Sequence, residues 1–82
     1  MEKLNKKITI GRSSNNVVQI KNTTISGNHC EIERISANNF LILDLNSTNG
    51  TKVNDRKIKR KINHVDNKIQ LGSFPLLLDK IY

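Results

Sequence analysis

The 82-residue sequence has no tryptophan, one proline, one alanine and one cysteine, and each shortage closes off a class of protein. A lone Cys30 leaves nothing to pair with inside the chain, which excludes a disulfide framework and suits a reducing, cytoplasmic setting. No apolar run approaches the roughly 20 residues of a membrane span, so no membrane association is expected. The start, Met1-Glu2-Lys3-Leu4-Asn5-Lys6-Lys7, lacks the apolar stretch of about 7–15 residues that marks a secretory signal. Scarce alanine, and no apolar residues recurring at i, i+3, i+4 and i+7, remove the signals of a helix. A chain this short buries only about 60–65% of its unfolded surface, which excludes a multidomain enzyme. It reads as one domain over residues 1–82.

Acidic residues are also few. Seven carboxylates face fourteen Lys and Arg, a formal net charge of +7. Such an excess points to an anionic partner: nucleic acid, phosphorylated protein, acidic peptide or membrane surface. A second reading is codon bias. Asn, Ile and Lys together make 33 residues, as an AT-rich genome would produce.

What is present is strand signal. Lys7-Ile8-Thr9-Ile10 alternates and stops at Gly11. Val17-Val18-Gln19-Ile20 follows a Ser-Ser-Asn-Asn turn. Cys30-Glu31-Ile32-Glu33 alternates apolar with acidic, the mark of a half-buried strand. Ser36-Ala37-Asn38-Asn39 reads as a hairpin turn with two Asn able to take positive φ. Phe40 to Leu45 is the most apolar segment and reads as a central strand. Short strands follow at Lys52-Val53 and Lys57-Ile58 around an Asn54-Asp55 turn, then from Ile62, at Lys68 to Leu71, and from Pro75 to Tyr82. Pro75 fits a first position or an edge. The expected fold is all-β: an antiparallel sandwich of two sheets, roughly nine to eleven short strands, with loops gathered at one end.

Catalysis finds no support. His29 and Cys30 are neighbours, so on a strand they point to opposite faces and cannot form a nucleophile–base pair. Two His and one Cys without ligand spacing make no metal site, and no Gly-rich phosphate loop opens a helix. No enzyme activity, metal or cofactor is expected. Three loops do hold short hydroxyl, amide, Gly and Arg residues at strand boundaries: Gly11-Arg12-Ser13, Ser26-Gly27-Asn28-His29 and Ser47-Thr48-Asn49-Gly50-Thr51. These supply a guanidinium fork, hydroxyl donors and backbone N–H groups, which are the contacts a phosphate dianion takes. Singly, each is ordinary turn chemistry.

In this order and spacing the three loops resemble the forkhead-associated (FHA) family of phosphothreonine-reading domains. Ile-Gly-Arg-Ser stands at 10–13 and Ile-Ser-x-x-His at 25–29. Asp44-Leu45-x-Ser47-Thr48-Asn49-Gly50-Thr51-x-Val53-Asn54 reproduces the longest family signature, and Ile69-x-Leu71-Gly72 the late strand. The resemblance implies a module that binds phosphothreonine peptides or proteins. It makes Arg12 the phosphate-pairing arginine, Ser26 and Thr48 hydroxyl donors, Gly27 a backbone N–H donor and Asn49 the holder of the peptide backbone. Gly11, His29, Ser47, Gly50 and Asn54 are implied as supports, and Cys30 as a small core residue. Specificity after the phosphothreonine would be read by loops at Thr24, Asn28, Gly72 and Ser73.

Some positions depart from the family pattern. Gly27 and Asn28 replace a supporting cation, and Val17 stands where Asp is common. Asn46 replaces a usual Gly and Asp66-Asn67 a usual Gly-Asp, both expected in left-handed turns. Only Met1 to Asn5 precede the first strand, where relatives carry a further one, so a minimal or trimmed domain with an edge able to pair with another chain is expected. Six cations from Lys52 to Lys61 would steer an acidic phosphopeptide or form a solvated face. Two rival readings are a phospho-independent assembly module and a duplex-binding domain. Three aromatics are too few for stacking on single strands, which makes nucleic acid the weaker of the two.

Overall fold

Apolar residues at every second position turn into strands whose inner faces meet across one core. The computed structural model describes residues 7–77. Nine strands run in chain order: β1 (Lys7–Gly11), β2 (Val18–Gln19), β3 (Cys30–Arg34), β4 (Asn39–Asp44), β5 (Thr51–Val53), β6 (Arg56–Ile58), β7 (Arg60–His64), β8 (Ile69–Leu71) and β9 (Phe74–Leu76). They form two sheets, ordered β2-β1-β3-β4-β7 and β6-β5-β8-β9. No helix among the described residues is long and apolar enough to cross a membrane.

The larger sheet contributes Ile8 and Ile10 from β1, Cys30 and Ile32 from β3, and Phe40 and Ile42 from β4. The smaller contributes Val53, Ile69, Leu71 and Leu76, and Ile25 enters from a loop; all eleven are buried. Fully burying one such side chain contributes about 1.5–3 kcal/mol. Between them they supply the driving force for closing the sandwich. Register follows the alternation: Ile8 stands opposite Ile32 and Ile32 opposite Ile42, so isoleucines stack on one face while Glu31 and Glu33 point away.

The antiparallel two-sheet sandwich is as expected, with one parallel exception among the described strands: β2 pairs with β1, Ile10 opposite Val18. The chain loops out through residues 12–17 and resumes its former direction, and the loop is held by the Thr9 hydroxyl accepting from the Val17 N–H. Several expectations need correction. β4 is an interior strand but is buried on one face only; Leu41 and Leu43 are half-buried on the outer side. The β3–β4 turn takes no positive φ at Asn38 or Asn39, nor do Asp66 and Asn67. Instead, the Asn39 carbonyl accepts from Ile35 and Ser36, and the Asn67 side chain accepts from the His64 N–H. Asn46 does adopt the left-handed region (φ 56°), as do Asn54 and Asp55 in the β5–β6 turn. Pro75 lies second in β9, an edge among the described strands. The expected extension of this strand to Tyr82, and the question of a strand before β1, fall outside the described residues.

Candidate functional site

Three loops meet at one end of the sandwich: residues 12–17, 20–29 and 45–50. The first two are joined by backbone hydrogen bonds. The Arg12 N–H donates to the Ser26 carbonyl (2.9 Å) and the Ser13 N–H to that of Gly27 (3.1 Å). Their approach is so close that a Cβ on Gly11 would stand 2.1 Å from the Gly27 oxygen, so this glycine is set by space. Asn16, buried in the first loop, donates to the Ser13 and Gly27 carbonyls and so clamps the pair. Sequence reading passed over Asn16 as one of several turn residues. Its only sequence signal is a place in an Asn-Asn turn beside Gly-Arg.

Arg12 is exposed, and its Nε donates to the Ile25 carbonyl (3.1 Å). That bond fixes the guanidinium plane and leaves both Nη groups without a protein partner among the described residues. The Ser26 hydroxyl accepts from the Thr48 N–H (2.9 Å), which spends a lone pair and leaves its own proton to donate elsewhere. Arg12, Ser26 and Thr48 are thereby held within a few bonds of one another. Gly27 faces Ser13, whose Oγ would lie 2.8 Å from a Cβ placed on Gly27. Its neighbour Asn28 is exposed.

The histidine is a strut. Its Nδ1 accepts from the Ser26 N–H (3.1 Å) and so carries no proton, and its Nε2 therefore donates to the Gly50 carbonyl (3.0 Å). Fully buried His29 thus ties the second loop to the third as the neutral imidazole. Cys30, also buried, has its thiol pushed up to about 12, chiefly by burial and then by the charges of Asp44 and Glu31, so it is inert as a nucleophile.

Asp44, at the end of β4, shapes the third loop. Its carboxylate accepts from the Ser47 N–H (3.1 Å), the Ser47 hydroxyl (2.6 Å) and the Thr51 hydroxyl (2.8 Å), and Ser47 Oγ in turn accepts from the Gly50 N–H. Burial alone would raise the Asp44 pKa, but the three hydrogen bonds outweigh it and hold the group below the usual carboxylate value. Sequence reading quoted Asp44 within the signature without giving it a role; its partners lie three and seven residues along. Gly50, at φ 86°, completes the turn. Asn54 acts farther off, its side chain accepting from the Lys68 N–H.

Asn49 is exposed and its Nδ2 donates to the Thr24 carbonyl (2.8 Å), which bridges the second and third loops. Thr24 then joins a fourth segment. Its hydroxyl lies 3.0 Å from the Ser73 hydroxyl and accepts from the Ser73 N–H, and a Cβ on Gly72 would stand 2.4 Å from the Thr24 oxygen. Thr24 and Ser73 form one hydrogen-bonded unit braced by the Asn22 side chain. Gly72 and Ser73 therefore belong to the same loop end, whereas no hydrogen bond joins Asn28 to Thr24.

No Lys or Arg at this end is ion-paired among the described residues. The one contact between a basic and an acidic side chain among them is His64 Nδ1 with Asp66 (3.5 Å), remote from the loops on the β7–β8 turn. No group of three or more potential metal ligands occurs among them. The arrangement offers a free guanidinium edge, two hydroxyls and an amide on a rigid rim, which suits binding a tetrahedral anion. A shallow depression elsewhere, on the outer face of the larger sheet, is lined by Lys7, Glu31, Glu33, Leu41, Leu43 and Arg60 and shares no residue with the loops.

Comparison with known proteins gives a consistent picture. Residues 8–72 match the sequence model of the FHA domain. No curated protein matches the chain. Among solved structures, the FHA domain of the CT664 protein from Chlamydia trachomatis superposes with a TM-score of 0.84 at 27% identity, covering 93% of this chain and 77% of that one. An FHA domain solved in a study of phosphothreonine-dependent FHA interactions gives 0.78 at 32% identity, covering 89% and 75%. The FHA domain of FhaA, solved in complex with the intracellular domain of Rv3910, gives 0.74 at 32%, covering 89% and 79%. On its sequence match and its fold, the chain belongs to the FHA domain family.

Proposed function

We propose that this domain binds phosphothreonine-containing proteins through its loop end, with Arg12, Ser26, Gly27, Thr48 and Asn49 as the contacts. The observation that carries the reading is the state of Arg12. Its Nε is anchored on the Ile25 carbonyl and both Nη groups are left without a protein partner among the described residues, while its N–H holds the Ser26 carbonyl and the Ser26 hydroxyl accepts from the Thr48 N–H. A phosphate carrying about −1.5 to −2 charge at neutral pH takes such a fork, and an unphosphorylated threonine offers it nothing. Asn49 keeps its carbonyl oxygen for a ligand N–H while Nδ2 holds Thr24. The threonine methyl would lie against the pocket wall near Asn49. The role is binding, with no chemistry performed on the ligand, and the reading calls for no cofactor. A reducing cytoplasm suits the buried free thiol of Cys30.

Related structures support a phosphoprotein partner: one FHA relative is described by phosphothreonine-dependent interactions and another is seen with an intracellular protein domain. Calorimetric titration of matched phosphorylated and unphosphorylated threonine peptides, drawn from a degenerate library, tests the proposal. Only the phosphorylated form should bind, and Arg12→Ala should weaken it by about 2–4 kcal/mol because the phosphate loses its charged partner. Equal affinity for both peptides would favour a phospho-independent assembly role. For that role, the half-exposed Leu41 and Leu43 with exposed Ile62 offer a surface away from the loops.

A further inference from the structure

Beside the third loop the smaller sheet presents lysines in an unusual arrangement. Lys52 in β5 stands directly opposite Lys57 in β6, and both are exposed. Like charges placed directly across a strand pair repel, so folding does not account for the pairing. The Lys57 side chain does not extend straight into solvent. Its stem lies against Gly50: a Cβ built there would be 2.4 Å from Lys57 Cε, 3.1 Å from Cδ and 3.2 Å from Cγ. The absence of a side chain at Gly50 thus makes room for the lysine stem, which runs along the residue after Asn49. The backbone of Lys59, just after β6, ties to the base of the loop, its carbonyl accepting from the Asp44 N–H (2.8 Å). None of these ammonium groups is ion-paired among the described residues.

We propose that Lys57, with Lys52 beside it, forms a second anion subsite on the flank of the Ser47–Gly50 loop. Its ligand is an additional negative group of the same phosphopeptide, an Asp or Glu carboxylate or a second phosphate. This rests on the phosphopeptide reading above and narrows its ligand class to peptides that are acidic beyond the phosphothreonine. The cation is placed by packing of its methylene stem on Gly50, which limits how far it strays.

The test uses fluorescence anisotropy with phosphothreonine peptides whose other residues are neutral, and with the same peptides carrying one Glu or one phosphoserine at each position within four residues of the mark. Lys57→Met keeps the stem on Gly50 and removes the charge, and Lys52→Met/Lys57→Met removes the repelling pair, so both variants are expected to fold. In the wild type an added acid at one side of the mark should tighten binding about two- to fivefold, the range of an exposed ion pair. In the double variant that gain should vanish while affinity for the neutral phosphopeptide stays within about twofold. The gain should also shrink in 0.5 M salt. An equal gain in wild type and double variant, or no gain at any position, would overturn the subsite while leaving the phosphopeptide reading intact. Failure of the wild type to bind any phosphopeptide would remove both. Duplex DNA binding that the double variant loses, without an acid-dependent gain in peptide affinity, would reassign the lysines to nucleic acid.

Discussion

Asn63 illustrates how a single residue departs from the pattern of its strand. It lies opposite Phe40 on the inner face of β7, where the alternation calls for an apolar side chain, and it is 2% exposed. Its Nδ2 donates to the Lys61 carbonyl, but its Oδ1 is buried without a partner. A buried, unpaired acceptor costs about 1–3 kcal/mol. Asn63→Val should therefore raise the unfolding free energy by about 1 kcal/mol in urea titrations, and a loss of stability would show that the amide is better satisfied than its geometry indicates. At this scale the sequence was legible where a residue's neighbours in sequence are also its neighbours in space. Asn46 and Asn54 were readable as turn residues for that reason. The clamp that Asn16 makes was not readable, because the Gly27 carbonyl it holds lies eleven residues away. Nor was Lys57, whose stem meets Gly50 through a hairpin register that no local pattern encodes.

Among the elements, the strands followed from alternation because burial on one face imposes a period of two. The loops depended on contacts between segments, and only their motif spacing was visible beforehand. The parallel start of β2 was hidden: two residues of strand carry no directional signal, and direction is settled by where the preceding loop can close. The tightest inter-loop contact is testable. Gly11→Ala would push a methyl into the Gly27 carbonyl and the Asn16 amide, with a Cβ at 2.1 and 2.7 Å, so it should destabilise the domain by about 2 kcal/mol. Gly27→Ala meets only the movable Ser13 hydroxyl closely, and should cost less than half as much in the same denaturation series. Equal costs would mean that the first two loops separate easily and are not clamped as described.

For the molecule as a whole, charge sets the response to pH. With a net charge of +7 and few carboxylates, each acid that ionises relieves repulsion. Asp44 does more, because the folded state holds its carboxylate with three hydrogen bonds and lowers its pKa below the ordinary 3.8. The unfolded chain takes up this proton more readily than the native state. The contribution of Asp44 is therefore complete above the unfolded value and is lost as pH falls through the lower folded one. Thermal midpoints measured from pH 5 down to pH 2.5 should fall less steeply in Asp44→Asn than in the wild type. Parallel acid limbs would show that this carboxylate is not preferentially ionised in the fold. Net charge alone named only the sign of a partner; which lysines stand free at the loops depended on the register of β5 with β6.

The loop end carries one further implication. Arg12, Ser26, His29, Thr48, Asn49, Gly50 and Thr24 are tied to one another by hydrogen bonds of the domain itself. Much of the ordering entropy of such a socket is then spent during folding, and little is left to spend on encounter. A phosphopeptide bound there as proposed would meet a formed mould, so its arrival would be governed by collision and steering and its residence by how long the contacts last. Differences in affinity among partners should accordingly appear as differences in lifetime.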